Sequence, residues 1–184
     1  MKPGVLEIGE RNHPTQWRER LGVGAPERVT TLGNLNRLAE PKTALFCSAR
    51  CPGSAILRAY DQAAQWRDAG RCLISGFHSP VEKECLRILL RGSQPIIICP
   101  ARALPKRIPP EWQTALEAEH LLLLSAFPET ETRVTTNLAR RRNEFVAALA
   151  DEASFAHITP GDQSEHLTRI LHEWRVPFST LETT

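Results

Sequence analysis

The stretch "RCLISGFHSPVEKECLRILLRGSQPIIICP", residues 71–100, decides the fold. It opens on a short apolar run, "RCLISG", passes through Gly, Ser and Pro into a segment with helical spacing, and closes on a second apolar run, "PIIICP". Short runs that are apolar throughout read as strands buried on both faces, and a helix between two of them reads as a crossover joining parallel neighbours. The unit repeats along the chain. From Thr43 onward the apolar runs are "TALFCS", "RCLISG", "PIIICP", "HLLLLSAF", "SFAHIT" and "VPFSTL". Helices are predicted between them over 53–69, 80–91, 110–118, 136–150 and 163–174, with Pro, Gly, Ser or Thr near most of their starts. Right-handed crossovers place such helices on both sides of a sheet. The expected fold is therefore α/β, a doubly wound, mainly parallel sheet of about six strands over residues 43–184. Residues 1–42 are expected to form an N-terminal extension that packs on this domain, having too few apolar residues for a core of their own.

A chain of 184 residues is a usual size for one domain, and 41% hydrophobic with 24% charged residues matches a folded protein. The net charge of +2 is too small to mark the whole chain as a nucleic-acid binder, so any basic site must be local. The start, "MKPGVLEIGERN", lacks an apolar core of signal-peptide length, and the longest apolar runs are far shorter than a membrane span. A cytoplasmic protein with no membrane partner is expected. Cys47, Cys51, Cys72, Cys85 and Cys99 are an odd number, and three fall in strand-like runs, which predicts reduced thiols. Cys47 and Cys51 lack a second Cys or His pair at ligand spacing, so no metal and no cofactor is expected.

In a doubly wound sheet, ligands bind beyond the carboxyl ends of the strands, near the point where strand order reverses. The segments following the expected strands are "SARCPG" (48–53), "SGFHSP" (75–80), "PARALPKR" (100–107), "SAFPETETR" (125–133) and "TPGDQSE" (159–165). Small residues let a ligand approach the backbone, and the following helices offer N–H groups suited to an anion. Turn geometry alone also puts Gly, Pro and Ser at strand ends. Two charge features go beyond it. Arg102, Lys106 and Arg107 have no acid between Gln94 and Pro110, and Arg133, Arg140, Arg141 and Arg142 have none among them. Arginines early in a helix oppose its macrodipole unless an anion neutralises them, so "RRRN", 140–143, is expected to meet phosphate.

From about Pro26 to Leu181 these motifs resemble the DprA/Smf family of DNA-processing proteins, whose Rossmann-like domain belongs to the nucleotide-associated SLOG superfamily. "APERVTTLGNLNRLAEPKTALFCSAR" resembles the family's lead-in, where a "GN" segment precedes a first strand ending in Gly-Ser-Arg. "LISGFHSPVEKECLRILLRG" is similar to its Ser-Gly turn and following helix, "LLLLSAFP" to its fourth strand, and "ARRRNEFVAALAD" to its Arg-Asn helix. The chain departs from the family with Cys47 in place of a Gly, with "SPVE" in place of Gly-x-Asp, and with "TPGDQSEHL" after the fifth strand, which resembles Pro-Gly phosphate loops elsewhere in the superfamily. A minimal, stand-alone Rossmann unit is expected, without the winged-helix or helical domains of many relatives.

The resemblance implies a ligand site of Ser48, Arg50, Ser75, Gly76, Arg141, Arg142, Asn143 and the loop with Pro160, Gly161 and Ser164, to which Phe77 and Arg102 are added from their places on the rim, with no catalytic residue. Arg50 is the leading phosphate ligand, since a guanidinium fork suits phosphate and it follows the first expected strand. Gly76 is read either as part of a tight turn or as ligand-lining, Asn143 either as a brace or as a contact, and His78 as a turn residue or a base. The implied function is binding of single-stranded DNA or of a nucleotide through phosphates, without catalysis, in a possible homodimer and beside possible recombination proteins in DNA uptake. The alternatives are a nucleotide-sensing module and a nucleotide hydrolase of the phosphoribohydrolase type with Glu165 as acid or base.

Overall fold

The computed structural model describes residues 2–10, 13–48 and 50–181. Its elements run β1 (Gly4–Glu7), α1 (Thr15–Leu21), β2 (Arg28–Gly33), β3 (Lys42–Phe46), α2 (Gly53–Asp68), β4 (Cys72–Ser75), α3 (Pro80–Leu89), β5 (Ile96–Ile98), α4 (Pro110–Glu117), β6 (Leu121–Ser125), α5 (Thr136–Leu149), β7 (Glu152–Phe155), α6 (Gln163–Glu173) and β8 (Phe178–Thr180). Among the described residues no helix is long and apolar enough to cross a membrane.

Among the described residues, all eight strands join one sheet in the order β1-β2-β6-β5-β4-β3-β7-β8. β3 to β8 are parallel to one another, as the strand-helix repeat predicts. The chain steps from β3 through β4 and β5 to β6, then crosses back to β7 on the other side of β3, so strand order reverses between β3 and β7. Helices lie on both faces. Alternate residues of each strand enter opposite layers, as the strand period of two requires. Phe46, Ile74, Ile97, Leu122 and Phe155 pack with Phe145, Leu149 and Leu167 in one layer. Leu45, Leu73, Ile96, Ile98 and Leu123 pack with Ala59, Trp66, Cys85 and Leu116 in the other.

The sheet has two more strands than the sequence predicts, both from the first 42 residues. β1 pairs antiparallel with β2, and β2 pairs antiparallel with β6. Their signal was weak because they add few apolar residues to the shared core: Leu6 and Val29 to one layer, Leu32 to the other. Gly33, at φ +118, lies where a Cβ would stand 2.2 Å from the Leu121 carbonyl oxygen, so β2 can approach β6 this closely only with glycine there. α1 is fixed by Trp17, which stacks on Phe145 at 4.5 Å between ring centroids and donates from Nε1 to the Phe145 carbonyl at 3.3 Å. Arg20 donates from Nη1 to the carbonyls of Ala148 (2.9 Å) and Ala150 (2.7 Å), satisfying acceptors that the end of α5 leaves open.

Candidate functional site

The loops after β3, β4, β5, β6 and β7 share the carboxyl edge of the sheet. At the reversal between β3 and β7 the crevice is closed by the chain's own side chains. Ser48 Oγ donates to Asp162 Oδ2 at 2.6 Å. A hydroxyl has one proton, so Ser48 accepts from Thr159 Oγ1, also at 2.6 Å. Asp162 caps α6 through the Ser164 amide at 2.7 Å and takes the Ser164 hydroxyl as well. Glu165 Oε2 accepts the Gly161 amide at 2.9 Å. Burial pushes the Asp162 carboxyl upward, but the hydrogen bonds from Ser164 and Ser48 outweigh it and hold the group below the usual carboxylate range. A fixed negative charge therefore stands at the start of α6, where the fold class places an anionic ligand.

Beside it, Glu82 binds the loops after β3 and β4 together. Its carboxylate accepts the amides of Cys47 (3.2 Å), His78 (2.9 Å) and Ser79 (3.0 Å), completing a capping box with Ser79 at the start of α3. Arg142, 4% exposed, donates from Nη1 to the Cys99 carbonyl at 3.1 Å and from Nε to Asn143 Oδ1 at 2.7 Å. Burial lowers the Arg142 pKa, and the charge of Glu82 opposes that shift. A Cβ on Gly76 would fall 1.2 Å from Arg142 Nη1. Glycine is needed there for the guanidinium to lie against the backbone, and the positive φ in this turn belongs to Phe77, at +45. Ser75 Oγ accepts the Phe77 amide and Ser125 Oγ the Phe127 amide, both at 3.2 Å. The "SGF" and "SAF" strand ends thus make the same local bond, and each turns a phenylalanine into the interior.

The other part of the rim is open. Arg50, Arg102, Lys106, Arg107, Arg133, Arg140 and Arg141 are exposed. They follow β3, β5 and β6, which lie on one side of the reversal. A cavity of about 510 Å³ beside β2 is lined by Leu32, Leu104, Ile108 and Phe127, with Arg102 and Lys106 among its polar residues. Arg141 stands over the Phe127 ring, 5.6 Å from its centroid. α2 and α4 begin after Pro52 and Pro109 without a side-chain cap, so Arg50 lies just before a helix start that keeps its amides uncapped by side chains. His78 is exposed; partial burial lowers its pKa, with the charges of Arg142, Lys83 and Arg102 acting the same way.

The expected ligand residues thus separate into two sets. Ser48, Ser75, Phe77, Arg142 and Ser164 are buried and bonded within the chain, and Gly76 and Asn143 serve the Arg142 contact. Arg50, Arg102, Arg141, Pro160 and Gly161 are exposed. Arg102 lines the cavity of about 510 Å³, and Arg141 lines a smaller one of about 180 Å³ against α1 and α5. Sequence reasoning missed Glu82 and Asp162 as organisers of the rim, although both stand where cap signals belong: Ser79 three residues before Glu82, and Asp162 directly before α6.

No protein-family model and no curated protein matches the sequence. Solved structures do match. DNA processing protein A (DprA) from Streptococcus pneumoniae aligns at a TM-score of 0.81 and 18% identity over 100% of this chain, which spans 64% of that one. DprA from Helicobacter pylori, described for its single-stranded DNA binding mode, aligns at 0.76 and 18% over 100% of this chain and 82% of its own. The molybdenum cofactor binding protein of Rippkaea orientalis aligns at 0.54 and 12% over 77% of this chain and 76% of its own. With a reversal between β3 and β7, an α/β sheet covered on both faces and a likeness to two DprA structures over the whole of this chain, the chain has a DprA-like, Rossmann-like fold.

Proposed function

We propose that the chain is a DprA-like module that binds single-stranded DNA through its phosphates along the carboxyl rim, without catalysis. The observation that carries this reading is the row of exposed basic side chains in strand order: Arg133, Arg140 and Arg141 after β6, Arg102, Lys106 and Arg107 after β5, and Arg50 after β3. Strands lie about 4.8 Å apart, so three strand spacings carry this row over roughly 14 Å. A row suits a chain of phosphates. A single mononucleotide phosphate would be drawn to the crevice at the reversal, and there the Asp162 carboxylate already fills the start of α6. Phosphate contacts from Arg and Lys give affinity without reading sequence, as a DNA-processing role requires. The apolar cavity beside Arg102 and Lys106 supports the reading further, since it offers an apolar surface to a base next to the charges that hold the backbone.

The test is fluorescence anisotropy with labelled oligo-dT and mixed-sequence oligonucleotides, set against a panel of mononucleotides, with chromatography of the mixtures for cleavage products. Binding of oligonucleotides whatever their sequence, steeply weakened by salt, supports the reading. Tight binding of a mononucleotide with release of its base overturns it in favour of a hydrolase.

A further inference from the structure

The row of exposed basic side chains runs from β6 through β5 to β3, yet β4 stands between the last two and has no part in it. At about 4.8 Å per strand, that omission leaves roughly 10 Å of rim without a cation from the row. His78 occupies the gap. It is exposed in the loop after β4, and Lys83, also exposed, follows it in α3. The backbone on both sides of the ring is fixed: the Phe77 amide donates to Ser75 Oγ at 3.2 Å, and the amides of His78 and Ser79 donate to Glu82 Oε2 at 2.9 and 3.0 Å. The ring itself has no hydrogen-bond partner among the described residues. Four charged groups face it: Arg142 from α5, Arg102 from the loop after β5, and Lys83 and Glu82 from α3. The Glu82 carboxylate is already held by three backbone amides, so the surroundings of the ring are cationic and suit an anion.

We propose that His78 is the phosphate ligand of the rim at β4 and that it takes up a proton as the DNA binds, so that affinity rises with acidity. This inference rests on the DNA-binding reading and adds to it a residue outside the basic row. In the free chain partial burial lowers the His78 pKa, the charges of Arg142, Lys83 and Arg102 act the same way, and Glu82 opposes them, so the ring is neutral at about pH 7. A phosphodiester beside the ring brings a negative charge that does not titrate near neutrality, and it favours the charged imidazolium. Both ring nitrogens then carry protons, and one of them donates to a phosphate oxygen. Because the bound pKa lies above the free one, binding draws in at most one proton. Affinity therefore grows as pH falls through the bound value and levels off below the free one. Arg102 and Lys106 hold their charge throughout this range, so His78 alone makes the row respond to pH.

The test is anisotropy with labelled oligo-dT, whose bases take up no proton in this range, at fixed ionic strength from about pH 8.5 to about pH 5.5. The parent should gain about tenfold in affinity over that range, the gain of one charge-assisted contact. His78→Gln should lack the gain, and His78→Lys, whose charge does not titrate there, should bind tightly without it; thermal unfolding is the control for both. A gain that survives in His78→Gln comes from another group and overturns the proposal. So does a loss of the same size at every pH, which makes the ring a neutral contact. A second measurement stands apart from DNA: proton NMR of the parent, with the His78 signal identified by its absence from His78→Gln, titrated with and without inorganic tripolyphosphate. The anion should raise the His78 pKa, and a pKa that stays in place overturns the proposal. If oligo-dT binds at no pH, the DNA-binding reading fails, while the NMR titration still decides whether the ring takes an anion together with a proton.

Discussion

The two sides of the carboxyl rim differ in how far their polar groups are already satisfied. Around the reversal between β3 and β7, Ser48, Thr159, Asp162 and Ser164 bond to one another, and next to them Glu82 collects three backbone amides. Along β5 and β6, Arg102, Lys106, Arg107, Arg140 and Arg141 stand in solvent beside an apolar cavity. Topology alone directs a ligand to the first side, and side-chain satisfaction directs it to the second. The adjacent pair Arg141 and Arg142 shows the same contrast within one turn of α5: one exposed over Phe127, the other buried against Gly76 and the Cys99 carbonyl.

The strongest way to break this comparison is Arg142→Ala. It removes buried donors from the Cys99 carbonyl and leaves space against Gly76, so stability should fall by about 2–4 kcal/mol in denaturant unfolding. If the variant is as stable as the parent and loses only oligonucleotide affinity, the inner arginine is a ligand group and the division is wrong.

The next effect is on binding. Arg102→Ala with Lys106→Ala should cost roughly 1–3 kcal/mol of affinity per phosphate contact and lower the log-log salt slope by about 0.7 for each, with thermal unfolding unchanged. Ser48→Ala should do the reverse, lowering stability while the folded protein keeps its affinity. Anisotropy titrations at several salt concentrations separate the two outcomes.

The smallest effect concerns the α6 cap. Asp162→Ala should cost about 0.5–2 kcal/mol, the usual range for an N-cap. The folded pKa of Asp162 is depressed, so its contribution is fully present above the unfolded value of about 3.9 and is lost as pH falls through the lower folded value. Unfolding curves for parent and variant should therefore converge in acid. A gap that stays constant down to the acid limit would place the effect outside this carboxylate.

Much of the fold was legible because its signals are local. Ser79, Pro80, Thr135, Pro110 and Asp162 mark helix starts through their own capping or backbone chemistry, and "LLLL" and "III" fill β6 and β5 with residues that can only be buried. β1 and β2 were not legible because their reason for being strands lies elsewhere: "RVTTLG" is ordered by the exposed edge of β6, and a sequence does not advertise that edge. The divided site was legible only in part. In "RRRN" the three arginines are chemically alike, but the helical period puts Arg142 on one face with Leu138, Phe145, Val146 and Leu149, all buried. That spacing marks the inward arginine, but the sequence reading went by charge and set Arg142 among the phosphate ligands. The closing of the reversal crevice by Asp162 could not be read, because it depends on Ser48 lying opposite across the sheet.

The pairing of β2 with β6 also has a consequence in time. Thr30 lies opposite Ser125, so about 95 residues must be synthesised before the partner of β2 exists, roughly 5–20 s at a synthesis rate of about 5–20 residues per second. Through that interval Leu6, Trp17 and Val29 have neither β6 nor α5 to cover them. β2 is thus made well before the strand that shelters it, and the nascent chain meets other proteins with Leu6, Trp17 and Val29 uncovered.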